Sequence, residues 1–282
     1  MVARRRSGKG NLMHSRNLPK LVRRVLLLMM VACHFAVAEF ALSQETLREL
    51  RVLSYNIQHG AGADGIVDLE RQATVIQRLK PDLVALQEVD DRTQRTKNVD
   101  QATELGRLTG LHVRFAHQLD FEGGRYGQAI LSRFPCSDLT VHWLPGRPDR
   151  ERRIAGSVTV DIDGEKLTFV TTHLHHNNTP FREEQAEELS RLFGKDLNTP
   201  VIVTGDLNAT PDSRVLEILK EHFEVPMGSQ ELLTYPARKP ERQLDYILFQ
   251  PRNRFSLVSI EVPSEAEASD HRPVLAVLRL LK

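Results

Sequence analysis

The run Val201-Ile202-Val203-Thr204-Gly205-Asp206-Leu207-Asn208-Ala209 constrains the chain most, because its apolar half has the composition of a buried strand. That strand delivers an aspartate and an asparagine, two apart, at its C-terminal end, which is the layout of an active site. Five other short blocks also place Asn, Glu, His or Asp at strand ends. They are Ser54-Tyr55-Asn56, Leu86-Gln87-Glu88-Val89, Thr172-His173-Leu174-His175, Leu244-Asp245-Tyr246 and Ser269-Asp270-His271. Rigid strands that end in polar groups are how a scaffold presents chemistry to solvent.

Between these blocks the periodicity alternates between strand and helix. Leu50 to Ile57 reads as a strand, and residues 68–79 carry apolar positions at helical spacing with Asp68 as cap. Pro81 ends that helix, and Asp82 to Glu88 follows as a buried strand. A helix from about Val99 to Leu108 precedes a strand from Leu111 to His117, a Gly-rich loop from Glu122 to Gly124 and a strand from Gln128 to Ser132. Asp163-Gly164, between Ser157–Ile162 and Leu167–Thr172, suits the positive backbone angles of a two-residue hairpin. Helices over Phe181–Phe193 and Ser213–Lys220 and late strands over Gln243–Phe249, Phe255–Val262 and Pro273–Leu280 complete the pattern. Hairpins mixed with strand-helix alternation imply mixed sheets in an α/β (α+β) domain.

The N-terminus is basic up to Arg24 and apolar from Val25 to Ala38, the pattern of an export signal. The apolar run is short for a bilayer span, and Ala41-Leu42-Ser43 offers a cleavage site after Ser43; an uncleaved membrane anchor is the alternative. The expected organisation is therefore a leader over 1–43 and one domain over 44–282, in the periplasm or outside the cell. The chain holds 38 basic and 37 acidic residues, of which eight basic and one acidic lie in residues 1–43. The remainder carries 30 against 36, a net charge of −6, which disfavours non-specific attraction of a polyanion. Only Cys136 survives cleavage, so an internal disulfide is excluded and stability must come from the core.

Glu88 ends an apolar run, where an isolated buried carboxylate is too costly to keep without a cation. Asn56 and Asp270 add hard oxygen ligands. With no Cys cluster and no His-x-x-x-His pattern, Mg2+, Mn2+ or Ca2+ fits better than structural zinc. Asp245 and His271 suggest a carboxylate–imidazole pair that raises the histidine pKa. Asp206 suits orientation of a water nucleophile, Asn208 donation to a substrate oxygen, and His173 proton donation or phosphate contact.

Taken in order, these blocks resemble the endonuclease/exonuclease/phosphatase superfamily, the metal-dependent phosphoesterases similar to deoxyribonuclease I. The resemblance covers essentially residues 50–282 and is carried by Gly205-Asp206-Leu207-Asn208 and Ser269-Asp270-His271 with Gln87-Glu88 upstream. It implies a four-layer sandwich, two mixed sheets packed face to face between helices, with the active site at one end. It further implies Glu88 as the main Mg2+ ligand with Asn56 and Asp270 in or next to the metal shell, and Asp206 positioning the attacking water. Asn208 would orient the phosphate, His173 contact it or protonate the leaving group, and His271 with Asp245 stabilise the pentavalent transition state.

Within Gly123-Gly124-Arg125-Tyr126-Gly127-Gln128-Ala129-Ile130-Leu131-Ser132, relatives often carry Gly-Asn-Ala-Ile-Leu-Ser, and Gln128 replaces that asparagine. Arg125, Tyr126 and Arg153 are candidate substrate contacts. The expected substrate is a phosphoester: a lipid headgroup, a small phosphoester or, for an extracellular nuclease, DNA or RNA. A scaffold of the same fold that only binds is the reading from outside enzymology. One Trp and four Tyr weaken a base-stacking platform. No protein partner is indicated, and a monomer is expected.

Overall fold

The computed structural model describes residues 46–147, 151–195 and 198–282. The expected leader and its cleavage site lie outside the described residues. Among those described, no helix is long and apolar enough to cross a membrane.

The first half of the chain runs β1 (Thr46–Asn56), α1 (Leu69–Leu79), β2 (Leu83–Asp91), α2 (Gln101–Thr109), β3 (His112–Phe121) and β4 (Gly124–Ser132). The second half runs β5 (Thr140–Trp143), β6 (Ile154–Ile162), β7 (Glu165–His173), α3 (Thr179–Phe193), β8 (Val201–Asp206), α4 (Arg214–Lys220) and β9 (Asp245–Gln250). Two last strands, β10 (Phe255–Glu261) and β11 (Val274–Leu281), return to the first sheet. One sheet has the order β10-β11-β1-β2-β4-β3 and the other β5-β6-β7-β8-β9.

Each sheet contains one parallel pair, β1 with β2 and β7 with β8, and every other pairing is antiparallel. A parallel pair needs a crossover, and α1 and α3 supply the two crossovers. Their ends are written in local chemistry. Asp68 accepts the Arg71 N–H, Asn178 the Phe181 N–H and Ser213 the Leu216 N–H, each closing the first turn of its helix. Asp163 and Gly164 both adopt positive φ, 54° and 92°, so the β6–β7 hairpin turns as the Asp-Gly pair requires.

Apolar side chains fill three seams. Leu50, Val52, Leu83 and Ile130 of the first sheet meet Val158, Phe169, Ile202 and Phe249 of the second. The outer face of the first sheet packs its Leu53, Val84 and Leu131 against Ala73, Ile76 and Leu105 of α1 and α2. On the far side, Val170, Val203 and Leu248 pack against Leu189 of α3 and Leu216 and Leu219 of α4. The result is the expected four-layer sandwich.

Two elements differ from the sequence expectation. The β3–β4 hairpin is longer, because the Gly-rich segment is only a tight turn at Glu122-Gly123 with Phe121 paired to Gly124. Strand β5 is four residues, partly exposed, and paired on one side to β6, too short and too mixed in polarity to show a period.

The seam between the sheets turns polar toward one end. Buried Gln128 of β4 accepts from the Thr171 hydroxyl of β7 (3.0 Å) and donates to the Ile154 carbonyl of β6 (3.2 Å), while Gln87 of β2 donates to the same Thr171 hydroxyl (3.2 Å). Gln128 is thus a strap between sheets. Thr171→Val is expected to lower the unfolding free energy by about 1–3 kcal/mol, read from the urea midpoint at unchanged slope, because it leaves two buried amides short of a partner. A midpoint equal to wild type would show that the strap contributes nothing.

Candidate active site

The C-terminal ends of the two parallel pairs meet at the polar end of the seam. Asn56 closes β1 and His173 closes β7, with Asp206 closing β8 directly beside His173 in register. Asp245 opens β9 opposite Asp206. His271 and Asp270 arrive on the loop that enters β11.

Local backbone conformation aims these groups. The β2–β4 register slips between Leu86 and Val89, and Glu88 sits in this bulge at φ 57°. A left-handed backbone costs a residue of this type about 1–2 kcal/mol, and bulges of this kind redirect a side chain at a sheet edge. Asn208 also lies at positive φ, 48°, where asparagine is tolerated, and its N–H donates to Asp206 Oδ1 at 2.8 Å. Gly205 permits β7 and β8 to approach, since a Cβ there would lie 1.9 Å from the Thr172 carbonyl oxygen.

Together these residues border a cavity of roughly 430 Å³ lined by Glu88, Arg153, His173, Asp206, Asp270 and His271, with Asn208 and Tyr126 at its walls. Asn56 and Asp245 are fully buried behind it. Asn56 Nδ2 reaches Glu88 Oε1 (3.0 Å) and Asp206 Oδ2 (3.2 Å), and its Oδ1 accepts the Gln58 N–H. It therefore ties two carboxylates from different sheets with one amide. Arg125 points elsewhere, with its guanidinium paired to Asp91 and outside the cavity lining.

His271 Nδ1 lies 2.8 Å from Asp245 Oδ2, and His271 Nε2 lies 3.7 Å from Asp206 Oδ2. Burial alone would depress the imidazole, but Asp245 and Asp206 overcome it and push His271 up to about 10. Burial likewise pushes Asp206 up to about 7, against the pull of the His271 charge.

His173 behaves oppositely. Burial, with Arg153 and His271 alongside, holds it well below the ordinary histidine range. Its geometry agrees: Asn208 Nδ2 donates to the Leu174 carbonyl, which fixes the amide, and also lies 3.1 Å from His173 Nε2. Nε2 is therefore an unprotonated acceptor, and its 3.5 Å approach to Asp206 is a contact between a neutral ring and a carboxyl rather than an ion pair.

A cation has one clear place in this arrangement. Desolvation raises Glu88, the Asn56 hydrogen bond opposes that rise, and the neighbouring Asp270 charge adds to it. Two oxygen-bearing carboxylates that face a cavity and repel each other fit a hard divalent ion. Asp206, Asp245 and His271 also cluster, with ligand atoms within 4.8 Å of one another. In that trio Asp245 holds His271 Nδ1 at 2.8 Å, an arrangement suited to carrying a proton.

Three cavity residues carried no sequence signal: Glu151, Tyr235 and Arg242. All lie on connections between strands. Tyr235 packs on the His271 ring at 4.7 Å and Arg242 stacks on Tyr235 at 4.9 Å. The Tyr-Pro and Gln-Leu-Asp surroundings have no period that would single them out.

Known proteins share both sequence and architecture with this chain. The model of the Endonuclease/Exonuclease/phosphatase family matches residues 53–271. A solved endonuclease/exonuclease/phosphatase from Beutenbergia cavernae is 25% identical with a TM-score of 0.67, over 83% of this chain and 72% of that one. A mannosyl-6-phosphatase from Bacteroides thetaiotaomicron is 21% identical with a TM-score of 0.63, over 81% of this chain and 99% of that one. The catalytic domain of human Nocturnin, solved with a bound sulfate anion, is 21% identical with a TM-score of 0.63, over 84% and 96%.

A histidine raised from 6.5 to about 10 on folding stabilises the fold fully below pH 6.5 and loses that contribution as pH rises toward 10. In chelator-treated protein, imidazole nitrogen shifts are expected to keep His271 charged beyond pH 8. Asp245→Asn is expected to return its midpoint toward the ordinary range. A wild-type midpoint near 6.5 would contradict the network.

Proposed function

The chain belongs to the endonuclease/exonuclease/phosphatase family, and from that premise we propose that it is a divalent-metal-dependent phosphoesterase that hydrolyses its substrate by in-line attack of water. The observation that carries this reading is Arg153. It is 3% exposed and lines the cavity, yet its Nε has no hydrogen-bond partner among the described residues and its Nη1 makes only a 3.3 Å ion pair with Glu151 Oε1. A buried guanidinium with donors left without hydrogen bonds suits an anion with several acceptor oxygens, and a phosphate matches its planar fork.

Glu88 and Asp270 would hold the cation, with Asn56 behind them fixing the Glu88 carboxylate. When bound, Mg2+ or Mn2+ supplies positive charge against the phosphate oxygens. Asp206, whose carboxyl titrates near neutrality, orients the attacking water and takes its proton. His271, charged and held by Asp245, donates to the oxygen on which charge builds, and Arg153 clamps the same group. His173 stays neutral and fixes the Asn208 amide at the cavity wall. The new bond joins water oxygen to phosphorus, and the bond to the alcohol oxygen breaks on the opposite side. That oxygen takes a proton from solvent, while Asp206 returns the one it accepted.

The reading favours a small or headgroup phosphoester over a nucleic acid, since the chain without its leader is acidic and the reaction cavity is crowded with carboxylates. Export, inferred from the basic and apolar leader, is part of the proposal; recovery of the full-length protein in the cytoplasm on fractionation would refute it.

Purified residues 44–282 are expected to hydrolyse at least one of bis-(p-nitrophenyl) phosphate, p-nitrophenyl phosphate, plasmid DNA or sphingomyelin with Mg2+ or Mn2+, and to stop in EDTA. Glu88→Ala and His271→Ala are each expected to lower kcat by at least about 100-fold. No cleavage with either metal, or unchanged rates in both variants, would sink the assignment.

A further inference from the structure

A second cavity opens off the first. It has a volume of roughly 210 Å³ and shares Glu88, Tyr126 and Glu151 with the reaction cavity, while Arg95, Leu119 and Phe121 form its remaining walls. That volume lies below the range of drug-sized pockets and suits a single small ring.

Its walls are preformed. Asp90, fully buried, accepts from Arg95 Nε (2.7 Å), Arg95 Nη2 (2.8 Å) and the Thr93 hydroxyl, which locks the guanidinium in place. The same guanidinium lies 4.6 Å from the Phe121 ring centre and 5.7 Å from that of Tyr126. With Nε and Nη2 taken, Nη1 remains to donate. Across the pocket, Glu151 Oε1 is engaged by Gln118 (2.6 Å) and Arg153 (3.3 Å), which leaves Oε2 to accept. Burial keeps the Tyr126 phenol protonated, so its hydroxyl serves as donor or acceptor.

We infer that this side pocket is the leaving-group subsite and that it takes a neutral, hydroxyl-bearing ring, such as a sugar or cyclitol, esterified to the phosphate held at Glu88 and Arg153. This deepens the phosphoesterase reading and rests on it. Three alternatives fit the walls less well. A second phosphate would face the carboxylates of Glu151 and Glu88. An alkyl chain would strip water from Arg95, Glu151 and Tyr126 and give nothing back. A duplex is too large for the volume. A polyol ring instead lays its C–H face on Phe121 and Leu119 and turns its hydroxyls to a donor and an acceptor fixed on opposite walls.

The test offers wild type matched esters of two alcohols, glucose through its 6-hydroxyl and n-butanol, each as the monoester and as the methyl diester, with Mg2+ and with p-nitrophenyl esters as reference. In whichever ester class is cleaved, kcat/KM for the glucose ester is expected to exceed that for the butyl ester by at least about tenfold, the discrimination expected when polar groups of a site are matched or left unpaired. Phe121→Ala and, separately, the shape-conserving Glu151→Gln should each reduce that ratio to about threefold or less. Equal rates for the two alcohols in wild type, or variants that slow both esters by one common factor, overturn the subsite while p-nitrophenyl hydrolysis leaves the phosphoesterase reading standing. Loss of all hydrolysis, reference esters included, overturns both.

Discussion

Two sheets that bury apolar side chains along most of their shared face bring carboxylates together at one end of it, and the amide of Asn56 is what holds the two sides there. Through one nitrogen it reaches Glu88 from the first sheet and Asp206 from the second. Ser269 anchors the Asn56 carbonyl at 2.7 Å and thereby ties in the loop that carries Asp270 and His271. Beneath that point, Gln128, Thr171 and Gln87 form a second polar tie between the sheets. Buried polar groups are tolerable when they satisfy one another, and the bonds from Asn56 to Asp206 and from Thr171 to Gln128 do so across the seam.

The arrangement is left short of positive charge on one side only. Around Asp206 and Asp245 the balance is met internally by the His271 imidazolium, so that half of the site holds protons. Around Glu88 and Asp270, desolvation with the Asp270 charge pushes Glu88 upward, and the charges of His271 and Arg153 pull it down only in part. In the same cavity Arg153 is a buried cation met only by Glu151 at 3.3 Å, with its Nε left without a hydrogen bond. A divalent ion at the first place and a phosphate at the second answer both deficits, and each strengthens the other's binding. The strained bulge at Glu88 belongs to the same logic, since stability is given up there to aim a carboxylate.

Much of this was legible in the sequence because chemistry-bearing residues sat at the ends of strongly apolar runs. His173, Asp206 and Asp245 each close or open a strand whose burial a one-dimensional pattern can signal, and the Asp163-Gly164 turn announces its hairpin. Glu88, expected at a strand end, instead sits in a bulge inside β2, which runs on to Asp91. Other features depend on contacts that no local pattern encodes. The neutral state of His173 follows from the Asn208 amide and from Arg153 at its side. Arg125 and Tyr126 looked equivalent as neighbours, yet strand alternation sends Tyr126 to the cavity and Arg125 to Asp91. Glu151, Tyr235 and Arg242 reach the site from loops, where composition carries no period. Gln128, unexplained as a replacement for asparagine, gained its reason only once Thr171 and Ile154 stood opposite it.

Glu88 carries a charge that the fold leaves for a cation to compensate, and thermal unfolding against metal concentration measures that compensation. Wild type is expected to unfold at progressively higher temperature as Mg2+ or Mn2+ rises, by the linkage between binding and folding. Glu88→Gln, relieved of a desolvated charge beside Asp270, is expected to start at a higher temperature in EDTA and to respond little to either metal. A wild-type transition indifferent to both metals, or a variant that responds as strongly as wild type, would contradict the account.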